Sequence, residues 1–138
     1  MQARIDIKRQ AQDEELFELE LEVCDGASSF HTSIWSPRTM FADVIKTLRS
    51  FDSGICDLRF GLRGFHATLY AQRLGVIYMK VHVHSESFSF GHMQAASEAT
   101  LYLVTEPNQL DEFVRALEAI AQGDTGHATL MARAPWPG

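Results

Sequence analysis

Residues 16–24 read LFELELEVC, and their strict alternation decides the fold. Phe17, Leu19, Leu21 and Val23 fall on one side of an extended chain, and Glu18, Glu20 and Glu22 on the other. A period of two belongs to a strand with one dry and one wet face. Upstream, ARIDIK (3–8) repeats it, with Ala3, Ile5 and Ile7 inward, and QAQDE reads as a polar turn. A hairpin of these two strands places Arg4, Lys8 and Arg9 across from the glutamate row. Each opposite-charge pair there contributes roughly 0.2–1 kcal/mol.

Downstream, DGASS turns the chain into FHTSIW (30–35), with Phe30, Thr32 and Ile34 on one face. The period then changes. Met40, Phe41, Val44, Ile45, Leu48 and Phe51 form a helical stripe, with Ser36 expected as N-cap, Pro37 as first helical residue and Gly54 as the stop. Cys56, Leu58, Phe60 and Leu62 alternate, GLRG (61–64) marks a turn or bulge, and Phe65, Ala67 and Leu69 alternate again. QRLG (72–75) turns the chain into VIYMKVHVH (76–84), and ATLYLVT (99–105) is the last predicted strand. A second helix follows over LDEFVRALEAIAQG (110–123), with Leu110, Phe113, Val114, Leu117 and Ile120 as its stripe and Gly123 as its end.

The expected object is an α+β domain over residues 1–123, followed by an irregular tail at 124–138. Its core element is one curved antiparallel sheet of about seven strands with two helices, in the order βββα-ββββα. Short links between neighbouring strands require the antiparallel pairing. FADVIKTLRSFDSG (41–54) aligns without gaps on LDEFVRALEAIAQG, so the chain reads as two similar strand-strand-strand-helix units. Duplication produces that pattern, and so do any two amphipathic helices facing a core.

The chain has 138 residues, 46% hydrophobic and 22% charged, a globular composition for one domain. Twelve Lys and Arg stand against 18 Asp and Glu, a net charge of −6. With no basic cluster, nucleic acid is a poor partner, because it binds by phosphate neutralisation. The start, MQARIDIKRQ, has no apolar leader, and no stretch is long and apolar enough to span a membrane. Cys24 and Cys56 follow no C-x-x-C pattern and are expected as free thiols in a reducing, cytoplasmic setting.

One constellation calls for a decision. KVHVHSESF (80–88) puts His82 and His84 two apart, about 6–7 Å along one strand face. That spacing chelates a transition metal when a third ligand arrives, with Glu86, His92 or His66 as candidates. Against it, Lys80 shares the face, and a sheet with one solvated side shows the same alternation. The solvated-face reading is preferred. His31 and His127 stand apart, no G-x-S-x-G or Walker loop is present, and adjacent acids such as Asp111-Glu112 read as helix-dipole partners. No catalytic, cofactor-binding or metal-ligating residue is therefore assigned. In SFSFGHM (87–93), Phe88 and Phe90 are either an exposed apolar lip or the end of a core strand, and the core is favoured.

LFELELEV, a strand ending in IWSP, a long helix, four strands, ATLYLV and the closing helix QLDEFVRALEAI together resemble the WapI-type immunity proteins of bacteria, over residues 15 to 122. The resemblance implies a non-enzymatic protein that binds and neutralises a toxin domain in the cytoplasm. Many such toxins are basic, and an acidic partner meets them faster. It carries over no binding residues. The alternatives are a small metal-dependent enzyme or metal-binding protein centred on His82 and His84, and a self-associating domain that uses an uncovered sheet face.

Overall fold

A computed structural model describes residues 1–61, 63–71, 75–123 and 126–136. Leu62, most of the QRLG turn and the ends of the tail lie outside the described residues. The elements are β1 (Arg4–Gln12), β2 (Leu16–Cys24), β3 (Ser29–Pro37), α1 (Arg38–Ser50), β4 (Ile55–Phe60), β5 (Phe65–Ala71), β6 (Ile77–His84), β7 (Phe88–Phe90), β8 (Met93–Ala95), β9 (Glu98–Thr105), α2 (Pro107–Gln122) and β10 (His127–Met131). The fold is α+β, with two helices and antiparallel sheets.

The single seven-stranded sheet is not what forms. Two four-stranded sheets, β10-β1-β2-β3 and β4-β5-β6-β9, stand beside a two-stranded ribbon, β7-β8. The chain leaves β3 into α1, and β3 meets β4 and β6 through side chains instead of a ladder. At that meeting Ile34 packs onto the bare backbone of Gly61 and Gly64. At the far side an isolated antiparallel bridge, Val104 with Arg133, joins β9 to the tail by two backbone hydrogen bonds of 2.8 and 3.0 Å.

The opening segment behaves as its alternation requires. Phe17, Leu19, Leu21 and Val23 are buried, as are Ala3, Ile5 and Ile7. On the wet side Arg4 bridges Asp6 and Glu22, which face each other across the ladder. Lys8 pairs opposite Glu20, which also takes hydrogen bonds from Gln10 and His31. Arg9 does not join this row. The register shifts between Arg9 and Ala11, and the Arg9 guanidinium donates to the carbonyl of Ile120 at the end of α2. That carbonyl belongs to the last turn of a helix, where a cation is favoured.

Helix α2 buries its expected stripe, Leu110, Phe113, Val114, Leu117 and Ile120; on α1 Phe41, Val44 and Leu48 are buried, and Met40, Ile45 and Phe51 of the expected stripe are half-buried. The two helices touch each other and share one hydrophobic core with both large sheets. The predicted start of α1 is one residue early. Ser36 stays in β3 opposite Phe17, Pro37 is the N-cap, and the Arg38 N–H donates to Glu15 O at 2.8 Å. The predicted stop is late, since α1 closes on Phe51, with Gly54 in the following turn. Gly123 ends α2 in the left-handed conformation, at φ 85°.

The tail at 124–138 is not irregular throughout. Residues 127–131 form β10, which pairs with β1 from Arg4↔Met131 to Lys8↔His127 and buries Ala128 and Leu130. Its alternation spans only five residues, too short to stand out beside the surrounding glycines and prolines. The edge of β1 recruits it.

Candidate functional site

The His-x-His strand lies in the second sheet. In β6, Ile77, Met79, Val81 and Val83 are buried in the core, so Tyr78, Lys80, His82 and His84 project outward. The ladder decides their neighbours. His82 stands between His66 of β5 and Thr100 of β9, and His84 lies opposite Glu98. The two imidazoles are 5.9 Å apart between ring centroids. Both Nε2 atoms approach the same oxygen, Glu98 Oε2, at 3.7 Å from His82 and 3.2 Å from His84. The side chains are 39%, 25% and 60% exposed for His82, His84 and Glu98, so the cluster sits at the surface.

Of the residues weighed as third partners, none joins the pair. His66 faces His82 but turns to Asp57, at 3.1 Å. Thr68 donates to the same Asp57 oxygen at 2.8 Å. The hydrogen bonds from Thr68 and then His66 hold the Asp57 carboxyl below its ordinary range. Glu86 and His92 lie exposed in the chain that follows β6, with no hydrogen bond or ion pair to the histidines among the described residues. The acid that does arrive, Glu98, opens the last strand of the sheet. Its outward position was legible from the alternation of ATLYLVT, but only the register brings it to His84.

Lys80 stands on the same face, one rung along the ladder from His82. Its ladder partners are Thr68 and Tyr102, and it lines an open apolar hollow with Tyr70, Tyr78, Tyr102, Pro135 and Trp136.

Beyond the histidines the chain leaves the sheet. β6 and β9 pair directly down to His84↔Glu98, so the residues between them must project past the sheet end as an arm. The arm closes at its base by Ser85 N–H to Ser97 O and Ser97 N–H to Ser85 Oγ, both 2.8 Å. Phe88 pairs with Ala95 and Phe90 with Met93, around a turn at Gly91. Phe88, Phe90 and Met93 are 45%, 64% and 60% exposed. The core placement expected for the two phenylalanines is therefore corrected: a ribbon outside the sheet has no facing layer to bury them. At the foot of the arm is a hollow of about 400 Å³, lined by Ile34, Trp35, Gly64, His84, Ser85 and Glu86 among others. Trp35 is 44% exposed beside it.

The thiols are unpaired. Cys24 is buried and accepts a weak hydrogen bond from Gly26 N–H. Burial, then the neighbouring Asp57 charge, pushes the Cys56 thiol up to about 11. Less thiolate means slower alkylation, partly offset by the greater reactivity of a more basic sulfur. Iodoacetamide at pH 8 is expected to modify Cys56 about tenfold more slowly than a free cysteine peptide. Peptide mass mapping against time checks this, and a rate equal to the peptide's would contradict it.

No described helix is long and apolar enough to cross a membrane. Comparisons with protein-family models, with curated proteins and with solved structures find no match to this chain.

Proposed function

We propose that this chain is a non-enzymatic protein-binding protein, with the arm at residues 85–97 and the hollow at its foot as its contact surface. The observation that carries this reading is the exposure of Phe88, Phe90 and Met93 together on a ribbon of two three-residue strands. Aromatic residues and methionine are the types enriched at the centres of protein interfaces. A two-stranded ribbon also leaves edge hydrogen-bonding groups that a partner strand can take up. Trp35, next to the foot hollow, extends the apolar surface.

The partner best suited to a chain of net charge −6 is a basic protein domain. Such a partner fits the immunity role that the sequence resembles, in which a toxin domain is bound and neutralised in the cytoplasm. Two free thiols suit a reducing compartment of that kind.

The test searches beside the gene for this chain for a toxin-domain gene, whose absence would count against the immunity role, and purifies the toxin domain found there. The unaltered protein is expected to bind it and to protect cells that express it. Phe90→Asp is expected to weaken binding at least about thirtyfold, the loss of one strong interface anchor, while the melting temperature stays put. Equal protection by Phe90→Asp would remove the arm from the interface, and no complex of the unaltered protein at micromolar concentration would overturn the toxin-binding role.

A further inference from the structure

The outer face of the second sheet carries a hollow that the docking reading does not use. It opens over about 530 Å³ and is lined by Tyr70, Tyr78, Tyr102 and Trp136 around Lys80. Small ligands fill spaces of that order. The strands set the spacing. Tyr78 pairs with Tyr70, and Lys80 pairs with Tyr102. Tyr78 and Tyr102 are then diagonal neighbours, about 7–8 Å apart at the backbone. Side chains stand roughly upright on a sheet, so two rings at that separation leave room for one flat ring between them. Pro135 and Trp136 of the tail add a wall, held by the two hydrogen bonds between Arg133 and Val104.

The chemistry of the lining is one-sided. Lys80 and the Trp136 indole N–H only donate, and the tyrosine hydroxyls are able to donate. No carboxylate or amide side chain lines the hollow. Among the described residues, none of these five side chains has a hydrogen bond, an ion pair or a ring contact. The carboxylate on that row of the ladder, Asp57, is already engaged by Thr68 and His66. Unpaired rings, unspent donors and one positive charge call for a flat ring with a single negative, acceptor-only head. We infer that this hollow binds a planar aromatic carboxylate, its ring stacked on the tyrosines and its head on Lys80. A sugar would need acceptors for its hydroxyls, and a phosphate brings a second charge that one lysine does not match.

Cinnamate titrated calorimetrically into the full chain tests this. One molecule is expected to bind per chain, with a dissociation constant of about 100–500 µM, ordinary for a ligand of that size. Neutral cinnamamide is expected to bind about fivefold more weakly, the worth of one good surface ion pair. Lys80→Met is expected to erase that difference, and Tyr102→Leu to weaken both compounds about tenfold. Both side chains are exposed, so the melting temperature is expected to stay put in either variant. Phe90→Asp is expected to leave cinnamate binding unchanged, which separates this site from the arm. No saturable binding at millimolar cinnamate, equal affinity for acid and amide, or equal affinity for cyclohexanecarboxylate would overturn the assignment. So would a proline-rich peptide that takes this face when cinnamate does not, or a dimer seen by light scattering that Tyr102→Leu splits, since either gives the face another occupant.

Discussion

Phe41→Ala is expected to lower the unfolding free energy by about 4 kcal/mol, within the range seen for buried phenylalanines. Phe41 is fully buried. Its ring meets Phe17 edge-on at 5.2 Å between centroids and Phe60 at 5.4 Å, and Phe60 meets Phe65 at 5.4 Å. This row runs from the first sheet, through α1, into the second sheet, so its middle member is the one that neither sheet can replace by closing up. The truncation leaves a cavity between three elements as well as removing apolar area. A domain of this size is stable by only about 5–15 kcal/mol, so the loss is a large fraction of the total. Urea unfolding followed by circular dichroism should show a lower midpoint with an unchanged slope. Phe90→Ala, on the exposed arm, should lie within about 0.5 kcal/mol of the unaltered protein. A cost at Phe41 below about 1.5 kcal/mol would mean that the row does not tie the sheets together.

Gly64→Ala is expected to cost about 3 kcal/mol, the upper part of the range for overpacking. The cause is space, since the backbone at Gly64 is not in the left-handed region. A Cβ there would lie 2.1 Å from Cγ2 and 3.0 Å from Cβ of Ile34. Ile34 cannot swing aside, because it is buried and branched at Cβ, one bond from the clashing Cγ2. Gly54→Ala provides the contrast. Its Cβ would meet nothing within 4 Å, but φ is +76°, so about 1 kcal/mol of backbone strain is expected there. A double-mutant cycle isolates the mechanism. In an Ile34→Ala background the clashing Cγ2 and Cδ1 atoms are gone, and Gly64→Ala should cost at least about 1.5 kcal/mol less. Strict additivity would show that the Ile34 contact is not what Gly64 protects.

Most of the inside and outside of this molecule was legible in the chain. LFELELEVC, IYMKVHVH and the two helical stripes each carry their period in consecutive residues, and burial followed it at Phe17 through Val23, at Ile77 through Val83, and along α1 and α2. A period is a local property, so one segment states it without reference to any other. The same logic placed His82 and His84 on a wet face and set Lys80 with them.

Ladder pairing is not local. Glu98 lies 14 residues beyond His84, and no pattern in either stretch names the other; the β6–β9 register brings them together. The arm exists because those two strands pair without a gap, which forces Phe88, Phe90 and Met93 out past the sheet. Where the two sheets meet, Ile34 seats on Gly64, a contact between residues thirty apart that no alternation records. Likewise β10 is a strand because β1 has a free edge, since five residues near the end of the chain bury too little to hold an extended shape alone. The sequence by itself determined which side of each segment is dry, because neighbouring side chains alternate or follow the helical repeat whatever lies opposite. Tertiary structure alone decided which segments lie opposite one another, because backbone hydrogen bonds carry no side-chain label and partners are chosen by the packing of the whole core.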